Sequence, residues 1–228
     1  MSRAQWRAEL QSRDPSAWAA FLTDHSGLPG PRANTDLALA VAEVADTATI
    51  ERLLGADDEY LLFCGAVGLA RRIEIRGALP RVRALAADDR WRIREAVAMG
   101  LQLLGDNDVR QLCTLCLEWS KDPDPLLRRA AVAALCEPRL LRSPDAAAVA
   151  VQVCRNATDS IAALAPEDRR ERDVRTLRQA LGYCWSVAVA ANPEPGLAAF
   201  AQLDESDPDL RWIVIENKKK RRLARLLG

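Results

Sequence analysis

One motif recurs along the chain and limits what it can fold into. The segment DDRWRIREAVAMGLQLLG at 88–105 opens with paired aspartates, continues as an alanine-rich apolar stretch and ends in glycine. Its pattern returns in ADDEYLLFCGAVGL at 56–69, KDPDPLLRRAAVAAL at 121–135 and ESDPDLRWIVIEN at 205–217. The equivalent positions Phe63, Arg94 and Arg128 are separated by 31 and 34 residues, near the shorter end of paired-helix repeat periods. A lone hairpin of this kind has nothing to cover its apolar face. The recurrence therefore predicts helical hairpins stacked on one another.

Within 88–105 the register is readable. Asp88 or Asp89 can accept hydrogen bonds from first-turn amides, and their charge suits the positive end of a helix. Ile93, Val97, Leu101 and Leu104 fall on one apolar stripe at helical spacing. Trp91, Glu95 and Gln102 fall elsewhere, so Trp91 and Glu95, four apart, share a face that the core does not need. In 121–135, Leu127, Ala130, Ala131, Ala134 and Leu135 point one way and Arg129 points off that face. Gly100 and the alanines allow close helix–helix approach. The helix is expected over 90–104, stopping at Gly105.

Hydrophobic residues make up 49% of the chain, enough for a packed core, and the abundance of Ala, Leu and Arg favours helix. The net charge is zero, which excludes a global field that would recruit nucleic acid or membrane. The charge is nonetheless uneven. Residues 1–62 hold five arginines against ten carboxylates, and residues 211–225 hold seven Lys or Arg against one Glu. A basic patch is expected at the C-terminal end.

The six cysteines, Cys64, Cys113, Cys116, Cys136, Cys154 and Cys184, all lie in apolar helical stretches. Cys113 and Cys116 form a CxxC, but there is no second pair and only one histidine, His25, so no metal is expected. No signal peptide and no membrane-length apolar run are recognised, which predicts a cytoplasmic protein with free thiols and no membrane partner. There is no Gly-rich phosphate loop and no Ser-His or Cys-His pairing, so no cofactor or nucleotide chemistry is expected.

The chain reads as one domain, 1–228. Residues 1–33 form a capping segment that ends in the GLPGPRA loop, and 34–228 carry about five hairpins. Asn34 is placed to cap a helix over 36–46. Helices are expected at 49–54, 57–73, 77–87, 109–120, 126–135, 145–164 and 174–191, with a charged turn at 166–173. The prolines of 192–196 break the chain before a last hairpin, 196–203 and 210–227.

The aspartate turn followed by an R-x-A-A-type helix, as in DPLLRRAAVAAL, resembles HEAT repeats over about residues 34–228. That resemblance implies an all-α fold, a right-handed α-α superhelix, whose second helices line a concave face. It implies a binding module holding a protein partner or a DNA backbone there.

A narrower resemblance is to the HEAT-like-repeat DNA glycosylases of the bacterial alkylation repair family. These place a Trp, and four residues on a catalytic Asp, on one repeat helix, an Arg on the next and another Trp on a later one. Trp91 matches the first Trp, and Glu95 takes the carboxylate position. Arg129 or Arg128 matches the Arg, and Tyr183 falls near the later aromatic. Glu replaces Asp, and the spacing from Arg to the second aromatic is expanded. The resemblance implies that Glu95 would stabilise the cationic sugar as an alkylated purine leaves. Trp-x-x-x-carboxylate also recurs at Trp212 and Glu216. Arg211, Trp212, Lys218, Lys219, Arg221 and Arg222 are the phosphate-contact candidates of the basic end.

Overall fold

Aspartates start many of the helices. The Asp58 carboxylate accepts from the amides of Tyr60 and Leu61 at 2.8 and 2.9 Å, Asp88 from Arg90 at 2.9 Å, Asp124 from Leu126 at 2.8 Å and Asp207 from Asp209 at 2.9 Å. These are the four recurring turns of the sequence. Each satisfies amides that a helix start otherwise leaves unpaired.

The computed structural model describes residues 1–228 and contains α-helices and short 3-10 turns but no strand. Two compact units divide it, Met1–Leu104 and Gly105–Gly228. The first holds α1 (Arg3–Gln11), α2 (Trp18–Asp24), α3 (Thr35–Val44), α4 (Thr47–Leu54), α5 (Glu59–Ala70), α6 (Ala78–Ala86) and most of α7 (Trp91–Asn107). The second continues with α8 (Val109–Trp119), α9 (Pro125–Leu135), α10 (Pro144–Ala162), α11 (Arg172–Ala191), α12 (Pro193–Ala201), α13 (Pro208–Lys218) and α14 (Arg221–Leu227).

In the first unit α5 is the centre. Every residue from Tyr60 to Ala70 is buried, and α2, α3, α4 and α6 all pack on it. A helix apolar all round is stable only when enclosed. Asn34 caps α3 through the amide of Leu37, and the Tyr60 hydroxyl donates to the Asn34 carbonyl at 2.7 Å. Arg71 and Arg72 reach back to carbonyls of Ala42 and Ala45 at the end of α3. The expected stripe of α7 is buried: Ile93, Val97 and Leu101 are fully enclosed and Leu104 nearly so. Gly100 lies so close to α5 that an added Cβ would meet the Val67 carbonyl oxygen at 2.4 Å.

The second unit has two layers. α8, α10 and α12 pack in succession on one side, and α9, α11 and α13 on the other. α11 is the central member, touching α9, α10, α12, α13 and α14. Trp185 on α11 is fully buried and donates its indole N–H to Thr158 Oγ1 of α10 at 2.9 Å.

Beyond shifts of a few residues at helix ends, three features differ from expectation. α7 runs through Gly105 to Asn107, because Gly105 serves packing and does not cap. A Cβ there would meet Leu112 at 2.6 Å. The prolines expected to break the chain begin α12 instead. Pro193 is its first residue, a position where a missing N–H costs nothing. The last helix is two, since Lys220 is extended between α13 and α14. The turn lets α14 fold onto α11 and α13 and bury Leu223. No helix is long and apolar enough to cross a membrane.

Candidate functional site

Trp91 and Glu95 stand one turn apart on α7, in the first unit. Trp91 is 54% exposed, whereas Trp6, Trp18, Trp119 and Trp185 are buried. Arg92 holds its guanidinium 4.8 Å from the Trp91 ring and pairs with Glu59 at 3.4 Å. Buried Arg94 donates to the Asp88 and Asp89 carbonyls at 2.6 and 2.9 Å, which fixes the turn that presents Trp91. Glu95 is half-buried.

The other candidates belong to the second unit. Arg128 and Arg129 are half-buried on α9. Burial pulls the Arg128 guanidinium below its ordinary value, and the carboxylates of Asp122 and Asp124 oppose that shift. Tyr183 on α11 is 44% exposed. Its hydroxyl accepts from Arg222 Nη2 of α14 at 2.9 Å, and the guanidinium lies 5.2 Å from the ring. Lys220 Nζ lies 5.9 Å from the same ring. The bend between α13 and α14 thus brings part of the KKKRR run onto the aromatic residue of α11.

The rest of the basic end is divided. Lys218 pairs with Glu205 at 3.1 Å and Lys219 with Glu216 at 2.5 Å, so both lysines are partly neutralised. Arg211 and Arg221 are exposed. Trp212 is half-buried and acts as a platform. Arg178 lies 4.8 Å above its ring, and Gly182 gives the ring room, since a Cβ there would meet it at 2.9 Å.

One cluster was not picked out from the sequence. Arg169, Arg170, Arg175 and Arg178, with Asp209, line an open depression of about 540 Å³ beside the start of α11. Part of its signal was present: Arg175 and Arg178, three apart, share one side of a helix start. The segment reads as a charged turn because its arginines alternate with acidic residues.

All six cysteines are buried. Cys136 and Cys154 bring their sulfurs to 3.6 Å where α9 and α10 meet. Burial pushes the Cys64 and Cys116 thiols far above their ordinary range, so they are neutral packing groups. Comparison with known protein families, with characterised proteins and with solved structures found no match.

Proposed function

We propose that this chain is a HEAT-like helical-repeat binding module that grips the phosphate backbone of a nucleic acid with the basic end of its second unit. The observation that supports this reading is the Tyr183 ring with Lys220 and Arg222 gathered against it. An exposed aromatic face beside cationic groups suits a stacked base next to a contacted phosphate. Arg211 and Arg221 extend the positive charge. Such contacts position a backbone and read no sequence.

The test is a salt-titrated binding isotherm on duplex and single-stranded DNA. Wild type binds both at low salt, with affinity falling steeply as salt rises. Changing Arg221 and Arg222 together to Gln lowers affinity for all sequences alike and reduces the salt slope by about 2. Absence of binding at low salt sinks the reading and leaves a protein partner as the ligand.

A second reading rests on Trp91. A tryptophan so exposed, with a carboxylate one turn on, fits an alkylpurine glycosylase-like enzyme in which Glu95 meets the developing sugar cation. It predicts base release from methylated DNA that Glu95→Gln abolishes while affinity is retained. Trp91→Ala lowers DNA affinity while shifting stability by no more than about 0.5 kcal/mol, the range of a surface change. Intact methylated DNA after incubation with wild type removes the enzyme and leaves the binding module.

A further inference from the structure

We propose that the arginine-lined depression beside the start of α11 is a binding site for a phosphate-type oxyanion. It goes beyond the backbone-gripping reading, because neither Tyr183 nor the lysine run takes part in it.

The four arginines play different parts. Arg169 is fully committed. It donates to the carbonyls of Leu164 and Ala162 at 3.0 and 2.8 Å and pairs with Asp207. Arg178 is committed on one edge only. It pairs with Asp209 through Nη1 and rests on Trp212, while its buried Nε has no hydrogen-bond partner. Arg170 and Arg175 are exposed and have no carboxylate partner, and both line the depression. The turn that carries Arg170 is fixed by the bonds of Arg169, and Arg178 is fixed by its ion pair and its ring. Two exposed guanidinium groups therefore stand over a preorganised floor.

The charge balance selects the ligand. Arg169 and Arg178 are paired with Asp207 and Asp209, which leaves the two positive charges of Arg170 and Arg175 in excess along the lining. Glu167 and Asp168 belong to the same turn but do not line the depression. A tetrahedral dianion meets that excess. A guanidinium offers parallel N–H donors that match two oxygens of one phosphoryl group. A carboxylate-bearing ligand would satisfy fewer of these donors. Asp209 sits on the Arg178 side, so the anion belongs between Arg170 and Arg175.

The experiment uses the whole chain and inorganic phosphate as the probe, followed by phosphorus NMR and titration calorimetry. Saturable binding is expected. Arg170→Ala with Arg175→Ala weakens it at least about tenfold, the scale of losing charge-assisted hydrogen bonds. Both side chains are exposed, and an unchanged thermal melt confirms that the variant folds. Lys218→Ala with Lys219→Ala leaves phosphate binding unchanged. A second arm sets a 5′-phosphorylated oligonucleotide against the same oligonucleotide without its end phosphate. If only the phosphorylated one displaces inorganic phosphate, the source is a terminal phosphate. If both displace it equally, the source is a backbone diester. Saturable binding that survives the double arginine change, or no saturable phosphate binding at all, overturns the proposal. Duplex binding that depends on Arg221 and Arg222 can fail while phosphate binding persists, so the two readings fail separately.

Discussion

The side chain of Asn217, on α13, accepts a hydrogen bond from the Ser186 amide of α11 at 2.8 Å, in a position closed to solvent. Its Nδ2 donates to the carbonyls of Leu181 and Ile213, both at 2.8 Å. One amide group thus makes three bonds, two of which tie α13 to α11 while the third stays within α13. Replacing it with leucine keeps the volume but strips the partners of these bonds inside a closed space. Asn217→Leu is expected to lose about 1–3 kcal/mol, the cost of leaving buried polar groups unsatisfied. A denaturant melt measures it, and an unchanged midpoint would place Asn217 in contact with water.

Gly100 is a second sensitive point. The added methyl group of alanine would overlap the Val67 carbonyl oxygen and the Ala70 Cβ, at 2.4 and 2.6 Å. Both are short, rigid groups of α5 that have no rotamer to yield. Gly100→Ala therefore costs about 1–3 kcal/mol through overpacking, despite its better helix propensity. A rise in melting temperature would show that α5 and α7 separate freely.

Leu101 is fully enclosed on the same helix. Leu101→Ala is expected to cost about 2–5 kcal/mol, the range for a buried leucine that leaves a cavity behind. A chemical melt of the variant with wild-type stability would contradict the enclosed stripe of α7.

Asp207 carries a pH dependence. Its burial favours the neutral acid, but the Arg169 guanidinium and the amides of Asp209 and Leu210 outweigh that and hold its carboxyl below the ordinary carboxylate value. The folded value lies below the unfolded one, about 3.9. The stabilisation is therefore complete above that value and is lost as pH falls through the folded value. Asp207→Asn should be less stable than wild type near neutrality, and the gap should narrow as pH falls below about 4. Paired melts at pH 7 and pH 3 decide it, and a gap of equal size at both would remove the ion pair from the account.

Helices were legible wherever a local signal reports on a local cause. An aspartate before an apolar run marks a cap, and Asp58, Asp124 and Asp207 cap as their turns suggest, while Asp88 accepts from the Arg90 amide in the turn before α7. The stripe Ile93–Val97–Leu101–Leu104 was equally plain, because burial repeats with the helical period. What escaped depends on distant neighbours. Gly105 reads as a helix stop, and only the presence of Leu112 and Leu140 explains why it sits inside a helix. The bend at Lys220 is set by the burial of Leu223 against other helices, which no short window contains.

The same limit governed the sites. Tyr183 and Arg222 were both noted as candidates, but their contact spans 39 positions and depends on the α14 bend. The contacts of Trp212 with Gly182 and Arg178 likewise cross from one helix to another, beyond any short window. Arg170 and Arg175 were hidden by their acidic neighbours in sequence, since charge order along a chain does not show which groups line one hollow.

The distribution of the thiols gives the molecule a built-in clock for its own opening. Cys64 is the only cysteine of the first unit, and the other five lie in the second. Being closed off, none reacts with an alkylating reagent until its surroundings come apart, so a modification at residue 64 timestamps one event and modifications at the other five timestamp another. Peptide mass analysis after timed alkylation would then reveal whether the two halves of the chain melt as one body or in turn, without a single engineered probe.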